Sequence, residues 1–215
     1  KIPIYFTMTQ LRPLFFAQHI HSQFVLLAFF LEQDKQALKF LKEQLGITGL
    51  DSVLFVMKKP PWQSNNGDER FWQARGAVAK LMDHLYTHSL APLRHKWRVP
   101  AGFRKTTNLE HLYLYLPSAA ALQELKSEYT NQQDFFKALE STYISELMRE
   151  VRTRVMARSA DMPLTFRELS EGEQQLLMVL GLLRFTREDE SLFLLDEPDT
   201  HLNPAWSAQY LEFLK

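Results

Sequence analysis

The stretch LSEGEQQLLMVLGLLRFTREDESLFLLDEPDTHLNP, residues 169–204, decides the fold of this chain. Near its start, Ser170 and Glu173 fit a capping box, in which the serine hydroxyl accepts a hydrogen bond from the backbone three residues on and the glutamate returns to the cap. This pattern predicts a helix from Glu173 to Phe185. After a short charged turn, residues 191–195 (SLFLL) form a continuous apolar run that ends in carboxylates. Such a strand is buried on both faces, which predicts an α/β fold with a parallel sheet between helices.

The start of this helix is also a predicted anion site. Gly172 leaves the turn open enough for a phosphate to approach the backbone, and the helix start presents free N–H groups and the positive end of its dipole. A capping box alone is common, and an Asp-Glu pair after an apolar strand is only mildly unusual. Their combination is far more specific, because loop, helix, turn and strand follow in this order and Asp196 lies 24 residues after Gly172.

These motifs resemble those of the ATP-binding-cassette ATPases. Residues 170–174 (SEGEQ) are similar to the signature loop of the chromosome-maintenance and RecF-like branch, and residues 192–198 (LFLLDEP) resemble the Walker B strand with its catalytic glutamate. Residues 199–204 lie where the family has its D-loop, which here comprises Asp199, Thr200, His201 and Asn203. Transporters have an aspartate where Asn203 stands, so the D-loop is closer to the chromosomal and defence ATPases of the OLD and RecF kind. The resemblance implies the ABC-ATPase type of P-loop NTPase fold, with a helical lobe.

The resemblance also implies a role for each site residue. Asp196 would hold Mg²⁺ through water, and Glu197 would polarise the water that attacks ATP, the catalytic role. Gln10, which follows the first strand, is the candidate for the Q-loop glutamine, with Gln18 as an alternative. The other nucleotide-binding residues implied are Ser170, Gly172, Glu173 and Gln174.

Two family motifs do not occur between Lys1 and Lys215. No G-x-x-x-x-G-K-[ST] sequence is present to hold the β- and γ-phosphates, and His201 is not the switch histidine, because it lies within the D-loop. We expect the phosphate loop before Lys1 and the switch histidine after Lys215. A degenerate ATPase is the less favoured alternative.

The chain divides by pattern into three segments. Residues 1–60 are predicted to be an α/β segment of the ATPase core, residues 61–163 a mainly helical lobe, and residues 164–215 the signature helix, Walker B strand and D-loop. The predicted helices and strands of the first two segments are a helix over 23–45 ended by Gly46 and Gly49, a strand over 53–57, a helix over 71–90, a strand over 112–116, a helix capped by Ser118, and a helix that starts at Asn131 or Asp134 and continues through Val151.

A finer resemblance runs through the middle of the chain. Residues 59–62 (KPPW), residues 70–76 (RFWQARG) and residues 111–115 (HLYLY) are similar to the ATPase subunit of Septu-type and retron-associated anti-phage systems. This resemblance implies a dimer in which each signature loop acts in trans on the partner's ATP, and an HNH-type nuclease as the controlled effector. DNA or a retron's reverse-transcribed strand is a further implied partner. A DNA-repair ATPase of the RecF kind and a non-hydrolysing interaction module remain alternatives.

A basic stretch between Pro92 and Thr107 is the nucleic-acid candidate. It is predicted to be a loop whose cations hold phosphates while the indole of Trp97 stacks on a base. A solvated loop whose charges balance acids elsewhere is the equally weighted alternative. The cationic residues are Arg94, Lys96, Arg98, Arg104 and Lys105.

Composition excludes several other classes of protein. The 215 residues carry 25 Lys+Arg and 25 Asp+Glu, so no global field draws the chain to nucleic acid or to a membrane. The chain has no Cys, which excludes disulfides and thiol catalysis and suits a reducing compartment. The longest apolar run, residues 24–31, is too short to span a bilayer. We therefore expect a soluble cytoplasmic protein with no membrane partner. His84 and His88 permit metal ligation by their spacing, but no third ligand is evident.

Overall fold

A computed structural model describes residues 17–62, 65–100 and 106–186, together with residues 202, 204 and 206–208. The described part is a mixed α/β structure, as predicted. In chain order its elements are α1 (His19–Glu32), α2 (Lys35–Gln44), β1 (Ile47–Lys58), α3 (Gly76–His88), β2 (Leu93–Pro100), β3 (Thr106–Leu116), α4 (Ala119–Gln123), α5 (Gln132–Ile144), β4 (Met148–Ala157), β5 (Leu164–Thr165) and α6 (Glu171–Thr186), with single 3-10 turns at Glu69–Phe71, Glu124–Glu128 and Phe166–Glu168.

The five described strands form one sheet in the order β2-β3-β1-β4-β5, and every neighbouring pair is antiparallel. Phe55 in the central strand β1 lies between Leu114 of β3 and Val151 of β4. All three side chains are buried on the face that the helices cover. The strand predicted over residues 191–195 lies outside the described residues, so its place in a parallel sheet stays a prediction.

Helix α1 lies at the centre of the helical layer. Every residue from His21 to Leu31 is buried, so the helix is enclosed on all sides. It packs against α5 and α6 on its flanks. The approach of α6 is close: a Cβ added at Gly181 would lie 2.1 Å from Cγ1 of Val25. A side chain at residue 181 would therefore prevent this packing.

The single helix predicted over residues 23–45 is wrong, because the chain breaks into α1 and α2. Gln33 adopts a left-handed conformation at φ 56°, which ends α1. Asp34 then caps α2, its carboxylate accepting from the N–H groups of Gln36 and Ala37. An aspartate inside an apolar helical pattern is such a start signal. The predicted stop at Gly46 is confirmed by its φ of 65°, whereas Gly49 lies within β1.

The prediction that the last helix of the lobe continues through Val151 is also wrong. Helix α5 ends at Ile144, Glu146 has a left-handed φ of 57°, and β4 begins at Met148. The physical reason is that a step of four residues fits both periods, since every second residue of a strand lies on one face. Val151 and Val155 are buried on that strand face. The alternation of apolar or small residues with charged residues over 150–155 is typical of a strand with one buried face.

The caps predicted from local sequence are confirmed. The hydroxyl of Ser118 accepts from the N–H of Ala121 at the start of α4, and the side chain of Asn131 accepts from the N–H of Asp134 at the start of α5. The predicted strand over 112–116 lies within β3, and the helix predicted over 71–90 is α3.

The basic stretch is a strand rather than the predicted loop. Residues 93–100 form β2, paired along their whole length with β3. Strands β2, β3 and β4 therefore accompany the three helices of residues 61–163, whereas the sequence predicted only the strand over 112–116 in this segment. The boundaries at residues 60 and 163 stay predictions, although β1 shares its sheet with strands that follow residue 61.

Candidate nucleotide site at the start of helix α6

The capping box predicted at the signature loop is present. The N–H of Glu173 donates to Oγ of Ser170 at 3.3 Å, and the N–H of Ser170 donates to Oε2 of Glu173 at 2.7 Å. The helix begins at Glu171, two residues earlier than predicted. The sequence pattern therefore fixes the local geometry that the anion-site prediction requires.

Other hydrogen bonds hold the same loop. The hydroxyl of Ser170 donates to Oε2 of Glu173 at 2.8 Å, and Nε2 of Gln174 donates to the carbonyl of Leu169 at 2.8 Å. Glu173 and Gln174 thus act here as positioning residues for the loop. Ser170 is exposed whereas Gly172 is buried, so the serine offers the accessible surface. Contact of these side chains with nucleotide stays a prediction.

Helix α6 is anchored on the core behind the loop. The ring of Phe185 stacks on Phe136 of α5 with centroids 5.1 Å apart, and the carbonyl of Phe185 accepts from Nε2 of Gln133 at 2.9 Å. Arg184 forms an ion pair with Asp34, the cap of α2. These contacts fix the direction in which α6 presents its first turn.

The remaining predicted site residues do not fall within the described part of the chain. Those residues are Gln10, Asp196, Glu197, Asp199, Thr200, His201 and Asn203. Within the D-loop, Leu202 is described and is buried. The geometry that joins the signature loop to the two carboxylates is consequently not described, and their roles stay predictions.

The alternative Q-loop residue, Gln18, caps the start of α1 at an exposed position. Its Oε1 accepts from the hydroxyl of Tyr143 at 2.5 Å, and its N–H donates to Nδ1 of His21 at 2.8 Å. Burial lowers the pKa of His21 to about 4, although the backbone of Gln18 opposes this shift. A cavity of about 430 Å³ opens beside Gln18, Tyr143 and Met178.

The basic residues of β2 lie on one face of the strand and are partly neutralised. Arg94 and Lys96 both contact the carboxylate of Glu110 on β3, at 2.5 and 3.4 Å. The guanidinium of Arg94 also lies 4.9 Å from the ring centroid of Trp72. Burial raises the pKa of Glu110, but the hydrogen bond of Arg94 and the charge of Lys96 outweigh it and keep that pKa low. Of the predicted set, Arg98 has no ion pair among the described residues, and Arg104 and Lys105 lie outside them.

His84 and His88 each contact a carboxylate rather than a shared metal site. Nε2 of His84 lies 3.3 Å from Glu128, and Nδ1 of His88 lies 3.0 Å from Glu124. Over the described ranges, no three His, Asp or Glu side chains converge as metal ligands would. The two histidines instead join α3 to the turn at Glu124–Glu128.

A cationic region on β4 was not predicted from the sequence, because the helix predicted through Val151 hid the start of this strand and residues 152–157 were assigned no element. Arg152 and Arg154 lie on one face of the strand, and Arg167 follows β5 nearby. Together with Tyr115 they line a cavity of about 430 Å³. The detectable signal was the alternation of arginine with Val and Thr over residues 151–155.

Comparison with known proteins places the chain in a family. Residues 65–215, more than two thirds of the chain, match the family described as "AAA domain, putative AbiEii toxin, Type IV TA system". The chain therefore belongs to this family of AAA-domain proteins. Membership supports the P-loop NTPase class predicted from residues 169–204 and implies nucleotide binding. Comparison with curated proteins and with solved structures gives no match. In the part of the chain that is described, no helix combines the length and apolar character needed to cross a bilayer.

Proposed function

We propose that this chain is part of an ATPase that binds and hydrolyses ATP at the interface of a homodimer or higher oligomer and thereby controls an anti-phage effector. The observation that carries the proposal is the capped start of α6, where Ser170 and Glu173 form the predicted loop in a member of an AAA-domain family. A helix start of this kind suits an anion such as a phosphate group.

Within each composite site, the two subunits contribute different groups. Ser170 and Gly172 of one subunit face the ATP held on the phosphate loop of the other. The donor chemistry fits Mg²⁺, because this ion keeps several of its waters and the carboxylate of Asp196 would hold it through one of them. When bound, the ion would supply positive charge against the phosphates, and Glu197 would orient the attacking water. The packing of α6 on α1 and α5 supports this proposal, since it holds the loop in a fixed direction.

The substitution Glu197→Gln tests the enzyme activity. The amide keeps the shape of the side chain but loses the carboxylate that orients water, so the full-length protein should still bind ATP while its turnover falls on the order of 10²-fold or more. Turnover is measured as the rate of phosphate release. Binding is measured as the change in fluorescence of a labelled ATP analogue on addition of the protein. Unchanged hydrolysis with normal ATP binding would overturn the assignment of Glu197.

The effector is proposed to be a nuclease of the HNH kind, as in the Septu-type and retron-associated systems that residues 59–62, 70–76 and 111–115 resemble. Phage plating on cells that carry the complete system tests this. Protection should require both Glu197 and the nuclease. Growth arrest by this protein without the nuclease would instead favour a toxin, the activity in the description of its family.

Two alternative functions predict different properties of the full-length protein. A DNA-repair ATPase of the RecF kind would bind DNA tightly and act without a nuclease partner. A non-hydrolysing module would lack a phosphate loop in the full reading frame. The match of residues 65–215 to an AAA-domain family favours the ATPase over the module.

A further inference from the structure

The sheet has a second face whose properties differ from those of the helix-covered one. This outer sheet face comprises the side chains that alternate with the core residues of β1, β3 and β4, together with His95 and Trp97 of β2, which pair with the same side of β3. The register places Tyr113 beside Val56, and it places Leu54 between Tyr115 and Arg152. Tyr115 is 37% exposed, and Arg152 is exposed as well. Polar and aromatic groups thus reach solvent from strands that are apolar on their other side.

Aromatic rings form a row at the β2–β3 end of this face. The ring centroids of His95 and Trp97 are 5.0 Å apart, those of Trp97 and His111 are 4.7 Å apart, and those of His111 and Tyr113 are 6.1 Å apart. His95 is exposed, and Trp97 and Tyr113 are half-buried. The rings of the row are therefore held by contacts with one another and still expose part of their surface to solvent. Unpaired bases stack on aromatic surfaces of this kind.

Cationic groups lie beside the aromatic row. The guanidinium of Arg149 approaches Nε2 of His111 to 3.3 Å and has no carboxylate partner among the described residues. Burial lowers the pKa of His111, and the charge of Arg149 lowers it further, so the imidazole stays neutral and the positive charge belongs to the arginine. Arg149 is exposed and its charge is available to a ligand.

The charge excess continues toward β5. Glu150 is the carboxylate shared by Arg152, at 2.5 Å, and Arg167, at 3.4 Å. Lys58 contacts Glu146 at 3.8 Å, and Arg154 contacts Asp51 at 4.0 Å. Glu168 also lies near Arg154, so with Arg149 five cations stand against four carboxylates on and around this face. The cavity of about 430 Å³ between Tyr115, Arg152 and Arg167 lies at the same end.

We propose that the outer sheet face binds a single-stranded nucleic acid. Its phosphates lie along Arg149 and Arg152, and its bases stack on the rings of Trp97, Tyr113 and Tyr115. Charge complementarity selects a polyanion, and the aromatic row selects one with accessible base faces, which a duplex hides within its stack. The proposal does not depend on ATP hydrolysis.

This location differs from the basic face of β2. Arg94 and Lys96 lie on the opposite side of that strand from Trp97 and already share Glu110. Arg98 lies on that same basic face and is exposed. It therefore provides a matched control: an exposed arginine one residue from Trp97 in sequence, directed to the other side of the sheet.

The test measures binding of the full-length protein to a fluorescein-labelled oligothymidylate of about 20 nucleotides by anisotropy, at several salt concentrations and without ATP. The double substitution Arg149→Ala and Arg152→Ala should raise Kd about 10-fold or more. It should also reduce the slope of log K against log salt by about 1.4, since each single-strand phosphate contact contributes about 0.7. Tyr115→Ala should raise Kd about 5-fold or more through lost stacking. Arg98→Ala should change Kd less than about 2-fold.

Circular dichroism and thermal unfolding of each variant separate loss of binding from loss of fold. Tyr115 and the two arginines are exposed, so these variants should unfold at the temperature of the wild type. Absence of binding by the wild type would overturn the proposal. A loss with Arg98→Ala as large as with the double variant would move the site to the basic face, and equal affinity for a duplex would contradict base stacking.

Discussion

Burial of His21 makes the stability of this protein depend on pH. His21 is 3% exposed, and its pKa is about 4, compared with 6.5 for a free histidine. Between pH 6.5 and 4 the unfolded chain binds a proton at residue 21 that the folded chain does not, so the contribution of His21 to the free energy of unfolding decreases as pH falls through this window. His111 acts in the same direction, whereas Glu140, whose pKa burial raises to about 7, acts in the opposite one, so the effect of His21 is measured as the difference between variant and wild type. The contribution is complete above pH 6.5 and amounts to at most about 3 kcal/mol.

The substitution His21→Gln removes the proton-binding group while it keeps a hydrogen-bond acceptor for Gln18. Urea unfolding at pH 7, 5.5 and 4.5 should therefore show a smaller loss of stability in the variant than in the wild type. His95→Gln, at an exposed position on β2, serves as the control. A wild type and a His21 variant that lose stability in parallel across these pH values would exclude His21 as the cause.

At the scale of elements, the contact of α6 with α1 limits what residue 181 can be. A Cβ at Gly181 would lie 2.7 Å from Cβ of Val25 as well as 2.1 Å from its Cγ1, so rotation of the valine side chain cannot relieve the clash. Gly181→Ala should therefore destabilise the fold by about 1–3 kcal/mol, despite the better helix propensity of alanine. Thermal unfolding measures this.

A matched glycine substitution serves as the control for this prediction. At Gly49 in β1, an added Cβ would meet nothing closer than Cβ of Met156 at 3.9 Å. Gly49→Ala should leave stability unchanged or slightly raised, because it restricts the unfolded chain. If both variants unfold at the same temperature, the close approach of α6 to α1 does not limit residue 181.

The elements also show which parts of the structure follow from local sequence. Helix starts at Ser118, Asn131 and Ser170 are predictable, because a cap and its helix lie within four residues. The end of α5 was not predictable, because apolar residues at steps of four suit both the helix and the strand that follows it. The partners of each strand were not predictable from local sequence either, since β1 pairs with residues about 60 and 100 positions later in the chain. The outer sheet face was missed for the same reason.

At the scale of the whole molecule, the proposed composite site predicts complementation between two defective subunits. Gly172→Arg should block closure around the partner's ATP, and Glu197→Gln should block hydrolysis in its own subunit. A mixed dimer then has one site with both defects and one site with neither. If one intact site suffices, mixing the two inactive proteins should restore ATP hydrolysis, because only a trans arrangement produces an intact site.

The two variants alone provide the controls for this mixing experiment. Each variant should be inactive alone: Glu197→Gln should still dimerise with ATP, whereas Gly172→Arg should lose ATP-dependent dimerisation in sedimentation. Because Gly172 is buried at the start of α6, circular dichroism of the Gly172 variant must match that of the wild-type monomer. If Gly172→Arg dimerises at the same ATP concentration as the wild-type protein, the trans arrangement is contradicted. That outcome would leave the AAA-domain family assignment standing, since the assignment rests on sequence.

The enclosure of α1 has a consequence for hydrogen exchange. The amides of residues 24–31 are covered by neighbouring elements on every side, so local fraying cannot expose them to solvent. Their exchange with deuterium then requires the surrounding elements to separate, and its rate reports the free energy of global unfolding. The amides of the exposed signature loop around Ser170 can open without that event. One exchange experiment thus reads the stability of the core and the mobility of the candidate site as two separate quantities.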